Sequence, residues 1–329
     1  MKLETLTQLA RLIDCQTKDK KSVCGVAVDS RLVEPGQVFF ALKGAQVDGH
    51  AYLCQAASQG AAAAVVSEAY SGQDYGMSLL RVKDPLQALQ ALAQKIIAIR
   101  NPKIIAVTGS LGKTTTKDFI KALLQAKYRV AASPGNSNSQ IGMPLSIINH
   151  TEGDEEVLVL EMGMTHVGNI SNLLKIAPPD IALVTTVALV HACNFSSLSE
   201  IGLCKAEIFT HPKTELGILN YDIEDFEKLR HIGPCNKISF STKSSQADYF
   251  LDMAKEKISS KNDAKEHVLS RLSVPGKHNH QNFLAAAVVA RHMDISWEEI
   301  RRIMPTLTLP ERRLQRIEKR RNSFHQRLL

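Results

Sequence analysis

The sequence lacks the long apolar runs that a membrane-spanning helix requires. None of its apolar stretches approaches the roughly 18 residues needed to cross a bilayer. Its first residues also lack the charged-then-apolar pattern of a secretory signal peptide. A composition of 44% hydrophobic and 22% charged residues is typical of soluble globular proteins. We therefore expect a cytoplasmic protein with no membrane partner.

Paired cysteines are missing as well. The six cysteines include no C-x-x-C pair and no spacing typical of a zinc site. We interpret them as small buried hydrophobic residues that a reducing cytoplasm keeps as thiols. Neither a disulfide framework nor a zinc centre is therefore expected.

The net charge of +7 does not indicate a nucleic-acid-binding surface. Residues 301–329 hold nine Lys or Arg against two Asp or Glu, whereas the other 300 residues hold 31 of each sign. Aromatic residues make up only 5% of the chain and are not interleaved with basic residues, as they are in single-strand binders. Nucleic-acid binding through the basic tail is therefore the least favoured function.

The 329 residues are enough for two domains or more. Residues 1–100 combine helically spaced leucines with short apolar runs separated by Gly and Asp, which predicts a small N-terminal α/β domain. Asn101-Pro102 breaks the helix at the end of this region. Over residues 101–313, apolar strands alternate with helices, which predicts a central, doubly wound α/β domain.

The strands and helices of this second region follow one another regularly. Four continuous apolar runs are typical of buried parallel strands: Ile104–Thr108, Val157–Leu160, Ile181–Val184 and Gly217–Leu219. Three helices are predicted at Thr115–Ala126, Ser199–Phe209 and Asn279–His292. In an open parallel sheet the ligand site lies beyond the carboxyl ends of the strands, so polar residues at those ends are candidate site residues.

A glycine-rich loop joins the first of these strands to the helix after it. Its residues are Gly109, Ser110, Leu111, Gly112, Lys113, Thr114 and Thr115. Glycines let backbone N–H groups turn towards phosphate oxygens, and a helix N-terminus favours the same negative charge. Lys113 can reach the β- and γ-phosphates, and the Thr114 hydroxyl can bind Mg²⁺. The loop predicts an ATP site of the P-loop type, although Val107 stands where the longer G-x-x-x-x-G-K-[ST] pattern has Gly.

Polar residues also follow the other strands. Glu161 ends the second strand, where a carboxylate facing the loop suits a Mg²⁺–ATP site. His191 follows the third strand and Lys205 lies on the next helix; taken alone, they are typical of a structural histidine and a surface lysine. Asn220 and Asp222 end the fourth strand, where they either contact a ribose or base or cap a turn.

Several blocks, in the same order, resemble the Mur ligases, the amide-forming enzymes of peptidoglycan synthesis. Thr108–Thr115 is similar to their ATP loop, and Ser133–Leu145 to a segment of the branch that adds D-alanyl-D-alanine. Further matching blocks are Glu161–His166, Lys205–Phe209, Pro275–Asn282, Arg313–Gln315, Asp29–Arg31, Pro35-Gly36, Leu42–Gly44 and Asp48–His50. The resemblance covers about residues 1–319, which is nearly the whole chain.

This resemblance implies an ATP-dependent amide ligase. Such an enzyme phosphorylates a carboxylate of UDP-N-acetylmuramoyl-tripeptide and joins the acyl phosphate to the amine of D-alanyl-D-alanine. Lys113, Lys205 and His191 are the implied catalytic residues. Besides the loop, Asn282 and Arg313 are implied to contact ATP.

The resemblance also implies two Mg²⁺ sites and a UDP-sugar site. Thr114 and Glu161 would hold the first metal ion, and His191 and Lys205 the second, with Lys205 carrying a CO₂-derived carbamate. The implied UDP-sugar site lies in the N-terminal domain and consists of Asp29, Ser30, Arg31, Lys43, Asp48 and His50. A monomer is implied.

The sequence departs from the family in several places, including the following two. Thr185 and Thr186 stand where the family usually has two asparagines. The third, Rossmann-like domain of the family has no counterpart, and we expect residues 314–329 to be a truncated tail. One allowed codon choice for residues 321–329, read one base later, encodes a family-like strand followed by Asn-Asp. We therefore hypothesise a frameshift, which resequencing of the 3′ end tests.

Two alternatives to this ligase stay open. One is another ligase of the superfamily, such as a MurE-type enzyme or folylpolyglutamate synthase, which the segments 133–145 and 29–50 disfavour. The other is a non-catalytic remnant that binds ATP or a UDP-sugar without turnover. The third residue of the acceptor peptide, diaminopimelate or lysine, is not readable from the sequence.

Overall fold

The structure, a computed structural model, describes residues 4–189, 194–261, 263–268, 274–309, 316–319 and 322–325. These residues form two compact units, each with its own sheet and packed helices. Unit 1 consists of Met1–Pro102, Ser137–Glu155 and Lys175–Ala177; unit 2 consists of Lys103–Asn136, Glu156–Leu174 and Pro178–Leu329. The predicted α/β class, with parallel sheets, is confirmed.

Unit 1 contains, among its described residues, a four-stranded parallel sheet in the order β1-β2-β3-β4. Its strands are β1 Val26–Ala27, β2 Val38–Phe40, β3 Ala63–Ser67 and β4 Ser78–Val82, and its helices are α1 Leu6–Leu12, α2 Leu53–Ser58, α3 Pro85–Arg100 and α5 Gly142–Asn149. Asp84 caps α3 by accepting the N–H groups of Leu86 and Gln87. Asn101, in the left-handed conformation before Pro102, ends the same helix, as the sequence predicted.

Unit 2 contains a nine-stranded sheet within its described residues. Its strands are β5 Lys103–Thr108, β6 Val130–Ala132, β7 Val157–Glu161, β8 Ile181–Val184, β9 Leu216–Asn220, β10 Asn236–Ser241, β11 Tyr249–Asp252, β12 Lys257–Ser260 and β13 Asp263–Val268. Its helices are α4 Lys113–Leu124, α6 Asn169–Ile176, α7 Leu198–Ala206, α8 Phe226–Leu229, α9 Lys277–His292 and α10 Trp297–Ile303. Two short antiparallel strands follow, β14 Arg316–Lys319 and β15 Asn322–His325.

The order of the strands in unit 2 is β13-β12-β11-β10-β9-β8-β5-β7-β6. The strands from β6 to β11 are parallel, whereas β12 and β13 run antiparallel at one edge. After β5 the chain first builds β6 and β7 on one side and then β8 and β9 on the other. This reversal opens a crevice at the carboxyl ends of β5, β7 and β8, where ligands bind in folds of this kind.

Helices α4 and α9 pack on each other and contribute to the apolar core of unit 2. The core of α9 is a run of small and branched residues, Ala285–Ala290, that is buried on every side. Small side chains allow close helix packing, so α4, which follows the phosphate loop, is held firmly against its neighbours. Phe119, Ile120 and Leu123 of α4 are fully buried in the same core.

The units divide the chain differently from the predicted continuous domain over residues 101–313. Residues 137–155, including α5, group with unit 1. The functional domain boundaries therefore stay a prediction. No helix in the described ranges combines the length and apolar character of a membrane span.

The prediction that the cysteines are buried is wrong for most of those described. Cys204 is buried, Cys15 and Cys235 are half-buried, and Cys24 and Cys54 are exposed. Helix α2 illustrates the reason, because it buries Leu53 and Ala56 and turns Cys54 away from that face. All five described cysteines are free thiols.

Candidate functional site

The glycine-rich loop of residues 109–115, the phosphate loop, joins β5 to α4 at the point where the strand order reverses. Its two glycines have positive φ angles, +152° at Gly109 and +83° at Gly112. A Cβ added at Gly109 would lie 1.9 Å from Thr185 Oγ1, and one at Gly112 would lie 2.3 Å from Asn282 Oδ1. Both positions therefore require glycine for space as well as for conformation.

The segment after β8 holds the loop in shape. Thr185 Oγ1 donates to the carbonyl of Leu111 at 2.6 Å, and the Ser110 N–H donates to the carbonyl of Thr186, also at 2.6 Å. The Ser110 hydroxyl donates to the carbonyl of Ala188 and accepts from its N–H, both at 2.9 Å. The backbone N–H and the hydroxyl of Ser110, a residue predicted to contact ATP, are thus both engaged within the protein.

Lys113 opens α4 and folds its side chain over the loop. Its Nζ donates to the carbonyl of Gly109 at 2.7 Å and to that of Ser110 at 3.4 Å. The ammonium group thus lies directly beside the loop that was predicted to bind phosphate. Leu111, at the outer tip, is 56% exposed and forms no part of the core.

Thr114 and Glu161 meet as the sequence predicted. Thr114 Oγ1 donates to Glu161 Oε2 at 2.8 Å, and the two residues are 7% and 1% exposed. A buried hydroxyl beside a buried carboxylate provides oxygen ligands of the kind that Mg²⁺ prefers. Among the described residues no group of three or more His, Cys, Asp and Glu could hold a metal ion, so Thr114 and Glu161 would have to act with phosphate or water oxygens.

Lys205 lies on α7 and is only 5% exposed, so the interpretation of it as a surface lysine is wrong. Burial, reinforced by the nearby positive charge of Lys113, lowers the pKa of Lys205 from 10.5 to about 7. In a large fraction of the molecules, the Lys205 side chain is therefore a neutral amine near neutral pH. This amine is nucleophilic, whereas an ordinary lysine is almost entirely protonated.

The residues at the end of β9 serve the structure. Asn220 Nδ2 donates to the carbonyl of Thr185 at 2.6 Å and thereby supports the segment that holds the loop. Asp222 accepts from Ser241 Oγ at 2.6 Å and from Gln281 Nε2 at 3.1 Å. These contacts favour the structural of the two interpretations of Asn220 and Asp222.

Asn282 is brought to the loop by α9, where it is 6% exposed and lies against Gly112. The other predicted residues of this site, His191 and Arg313, lie outside the described residues. Thr185 was noted in the sequence only as a departure from the family, yet its hydroxyl lies against Gly109 and donates to the carbonyl of Leu111. The signal that would have found it is a hydroxyl residue directly after a buried strand beside the loop.

The six residues predicted for a UDP-sugar all lie in unit 1. Asp29 caps a 3₁₀ turn and forms an ion pair with Arg31 at 2.6 Å, and this guanidinium lowers the pKa of Asp29 to about 2. Ser30 Oγ donates to Gln55 Oε1 at 2.7 Å. The two charged groups at positions 29 and 31 are therefore paired with each other and remain partly exposed.

The remaining three residues of this set shape one loop. Lys43 and Asp48 pair in an antiparallel bridge, and Asp48 Oδ1 lies 2.6 Å from His50 Nδ1. His50 Nε2 accepts the backbone N–H of Ser67 at 2.9 Å, and its ring stacks on Tyr70. Both ring nitrogens of His50 are thus used inside unit 1, which gives this histidine a clear structural role.

Family models match two parts of the chain. The Mur ligase middle domain matches residues 107–290, and the Mur ligase family catalytic domain matches residues 22–97. Among curated relatives, a UDP-N-acetylmuramoyl-tripeptide–D-alanyl-D-alanine ligase of Bacillus subtilis is 34% identical over 89% of this chain and 64% of its own length. The enzyme of the same name from Escherichia coli is 29% identical over 90% of this chain and 66% of its own length. The chain thus spans about two thirds of the length of these relatives.

Solved structures agree with the sequence relatives. A crystal structure of MurF from Acinetobacter baumannii has a TM-score of 0.85 and 25% identity, and the match covers 98% of this chain and 72% of that one. MurF from Thermotoga maritima in complex with ADP has a TM-score of 0.75 and 29% identity, over 90% of this chain and 68% of that one.

Proposed function

The chain belongs to the Mur ligase family, and from this premise we propose that it acts in the ATP-dependent ligation of D-alanyl-D-alanine to UDP-N-acetylmuramoyl-tripeptide. The names of its relatives support this choice of substrates. The observation that carries the proposal is the buried Thr114–Glu161 pair at 2.8 Å beside a phosphate loop. The ADP-bound relative from Thermotoga maritima supports ATP as the nucleotide.

The phosphate loop would bind the nucleotide through several groups of this chain. Backbone N–H groups of the loop other than that of Ser110, together with those at the start of α4, would bind phosphate oxygens. On binding, the Lys113 ammonium would exchange its carbonyl partners, Gly109 and Ser110, for the β- and γ-phosphates. Phosphoryl transfer depends on such positioning and on neutralisation of charge.

Thr114 and Glu161 are the residues that would hold Mg²⁺. When bound there, the ion neutralises phosphate charge and orients the transferred group. The buried carboxylate of Glu161 carries the negative charge that attracts the cation. The second ion predicted at Lys205 and His191 stays part of the proposal, with Lys205 as its described residue.

A carbamate on Lys205 fits its environment. A neutral amine can form an N–C bond to CO₂ and lose a proton, and burial keeps much of Lys205 neutral near pH 7. The product places an anion near Lys113, so the repulsion that disfavours a protonated Lys205 gives way to attraction. We propose that Lys205→Ala loses most activity and that bicarbonate does not restore it; full activity would contradict the carbamate.

Unit 1 would bind the UDP-sugar through Asp29, Ser30, Arg31, Lys43, Asp48 and His50. Arg31, which is 77% exposed, has the planar donor fork that suits phosphate or uracil oxygens. Asp48 and His50 would act by shaping the loop, since they bind each other and Ser67. A monomer in the cytoplasm remains the expected state.

Phosphate release from ATP tests the proposal directly. We expect release in the presence of Mg²⁺ to require both UDP-N-acetylmuramoyl-tripeptide and D-alanyl-D-alanine, and Lys113→Ala to abolish it. Binding of ADP or the UDP-sugar without any turnover would favour the non-catalytic alternative. Turnover with a diamino acid or glutamate in place of D-alanyl-D-alanine would instead identify another ligase of the superfamily.

A further inference from the structure

Lys117 lies on α4, one turn after Lys113, and its side chain is only 2% exposed. A lysine is almost never buried this deeply without compensating partners. Its Nζ donates to the carbonyl of Ser133 and, at 3.3 Å, to that of Gly135. The Asp118 carboxylate lies 3.2 Å from the same Nζ, and the Asp118 side chain is 36% exposed. Two backbone carbonyls of one loop thus receive the buried charge.

Ser133 is the point at which β6 leaves the sheet. Its N–H donates to the carbonyl of Val159 at 3.0 Å, which continues the ladder between β6 and β7. Pro134 follows and has no N–H, so the ladder cannot continue in the same way. At this end of the two strands, a side chain joins them: the Ser133 hydroxyl accepts the backbone N–H of Glu161 at 3.2 Å.

These contacts form a ring that includes both predicted ligands of the metal ion, Thr114 and Glu161. Thr114 and Lys117 are three residues apart and therefore share one face of α4. Thr114 donates to the Glu161 carboxylate, the Glu161 N–H donates to the Ser133 hydroxyl, and the Ser133 carbonyl accepts from Lys117. Three of the four residues are buried to 97% or more: Lys117, Ser133 and Glu161.

We propose that Lys117 is a positioning residue for the Mg²⁺–nucleotide site. It anchors the carbonyl of Ser133, and this fixes the hydroxyl that holds the backbone of Glu161. The Glu161 carboxylate is thereby kept beside the Thr114 hydroxyl. This inference rests on the proposed function, because it assumes that Thr114 and Glu161 bind Mg²⁺ with the nucleotide.

The test is ADP binding by calorimetry, with and without Mg²⁺, on the full chain. Lys117→Met keeps an unbranched apolar stem of similar length and removes the three donors. Loss of a group that orients a metal ligand typically weakens metal binding by about tenfold or more. We expect the gain in ADP affinity on adding Mg²⁺ to fall by about that factor, whereas Mg²⁺-free ADP binding stays unchanged.

Three further variants make the test specific. Lys121→Met, at a partly exposed lysine one turn further along α4, is the matched control and should behave as the unsubstituted chain. Ser133→Ala removes the hydroxyl from the same ring and should reproduce the weaker Mg²⁺ effect, even if Lys117→Met does not fold. The double variant should be less than additive, since both changes act through one path.

The outcomes separate this inference from the proposed function. If Lys117→Met and Ser133→Ala lower only the melting temperature and keep the full Mg²⁺ effect, Lys117 is purely structural and the inference is wrong. An unsubstituted chain that binds ADP equally with and without Mg²⁺ also overturns it. If that chain binds no ADP at all, the proposed function itself fails.

Discussion

Gly112 is the second of two crowded glycines in the phosphate loop; a Cβ added there has slightly more room than one added at Gly109. Its φ of +83° is costly for any residue with a Cβ, and that Cβ would also meet the Asn282 amide. Gly76 in unit 1 has nearly the same φ, +80°, but nothing lies within 4 Å of the added atom. Substitutions at Gly112 and at Gly76 can therefore be compared to separate the free-energy cost of the left-handed conformation from that of crowding.

We expect Gly112→Ala to cost more than Gly76→Ala. The left-handed conformation alone costs about 1–2 kcal/mol in either variant. Displacement of Asn282 adds to this at Gly112 and should weaken ADP binding by at least about tenfold, or about 1.4 kcal/mol. Urea unfolding and ADP calorimetry measure the two effects, and equal ADP affinity in both variants would contradict the crowding argument.

Lys205 makes stability depend on pH because its pKa is lower in the folded chain than in the unfolded one. Between about pH 7 and pH 10.5 the unfolded chain binds the extra proton. The free energy of unfolding therefore rises with pH across this window. Below pH 7 the folded chain bears the full cost of a buried ammonium.

Lys205→Met should accordingly stabilise the protein in CO₂-free buffer at pH 6. The expected gain is on the order of 3 kcal/mol, and it should shrink as the pH approaches 10. Unfolding free energies measured at several pH values test this, with Lys121→Met, at a partly exposed lysine of α4, as the control variant. A gain that grows with pH would have the wrong sign.

At the scale of elements, a side chain completes the edge of the unit 1 sheet. Asn149, at the end of α5, accepts the backbone N–H of Val26 at 2.9 Å and donates to its carbonyl at 2.8 Å. The amide thus imitates a neighbouring strand for β1. A Cβ on Gly25 would lie 2.8 Å from the same amide oxygen, so glycine leaves room for this contact.

Asn149→Ala should therefore destabilise unit 1 by about 1–3 kcal/mol, because the backbone N–H and carbonyl of Val26 both lose their hydrogen-bond partner. Val26 itself is 1% exposed, which limits replacement by water. His150→Ala, at the next exposed position, is the control. Chemical denaturation followed by circular dichroism measures the change, and equal stability of the two variants would show that β1 does not depend on this amide.

The elements also show where sequence patterns fail. The strands β5, β7, β8 and β9 were predicted because each is a continuous apolar run in a sheet covered on both faces. The strands β10 to β13 were not singled out, because polar residues leave no continuous apolar run of four in any of them, as in Asn236–Ser241. Such segments become strands only through the neighbours with which they pair.

At the scale of the whole molecule, the chain builds unit 1 from separate stretches. Helix α5 buries Met143, Ile147 and Ile148, and it packs on α3 and β1 within the same unit. The first 102 residues alone therefore lack part of their own core. Local sequence patterns cannot reveal this, because α5 follows β6 in the chain and joins elements more than 40 residues earlier.

A fragment of residues 1–102 should accordingly fold poorly. Three apolar side chains buried by α5 contribute about 5 kcal/mol, which is comparable to the total stability of a small domain. Joining residues 137–155 to the fragment through a flexible linker should restore a cooperative thermal transition. Equal melting of the two fragments would show that α5 contributes little to unit 1.

The sequence by itself determined the α/β class, the phosphate loop and the facing carboxylate Glu161. These features follow from local apolar runs, glycine spacing and the rule that strand ends converge. It also placed Lys205 in a matching family block, although spacing alone made it an ordinary surface lysine.

Tertiary structure decided everything that depends on burial and on distant neighbours. It buries Lys205 and lowers its pKa, brings Thr185 onto the loop, and buries Lys117 where it donates to the carbonyl of Ser133. Each of these properties depends on groups at least 16 residues away in the chain or on exclusion of water. Such effects arise only when the chain is packed, and no local pattern encodes them.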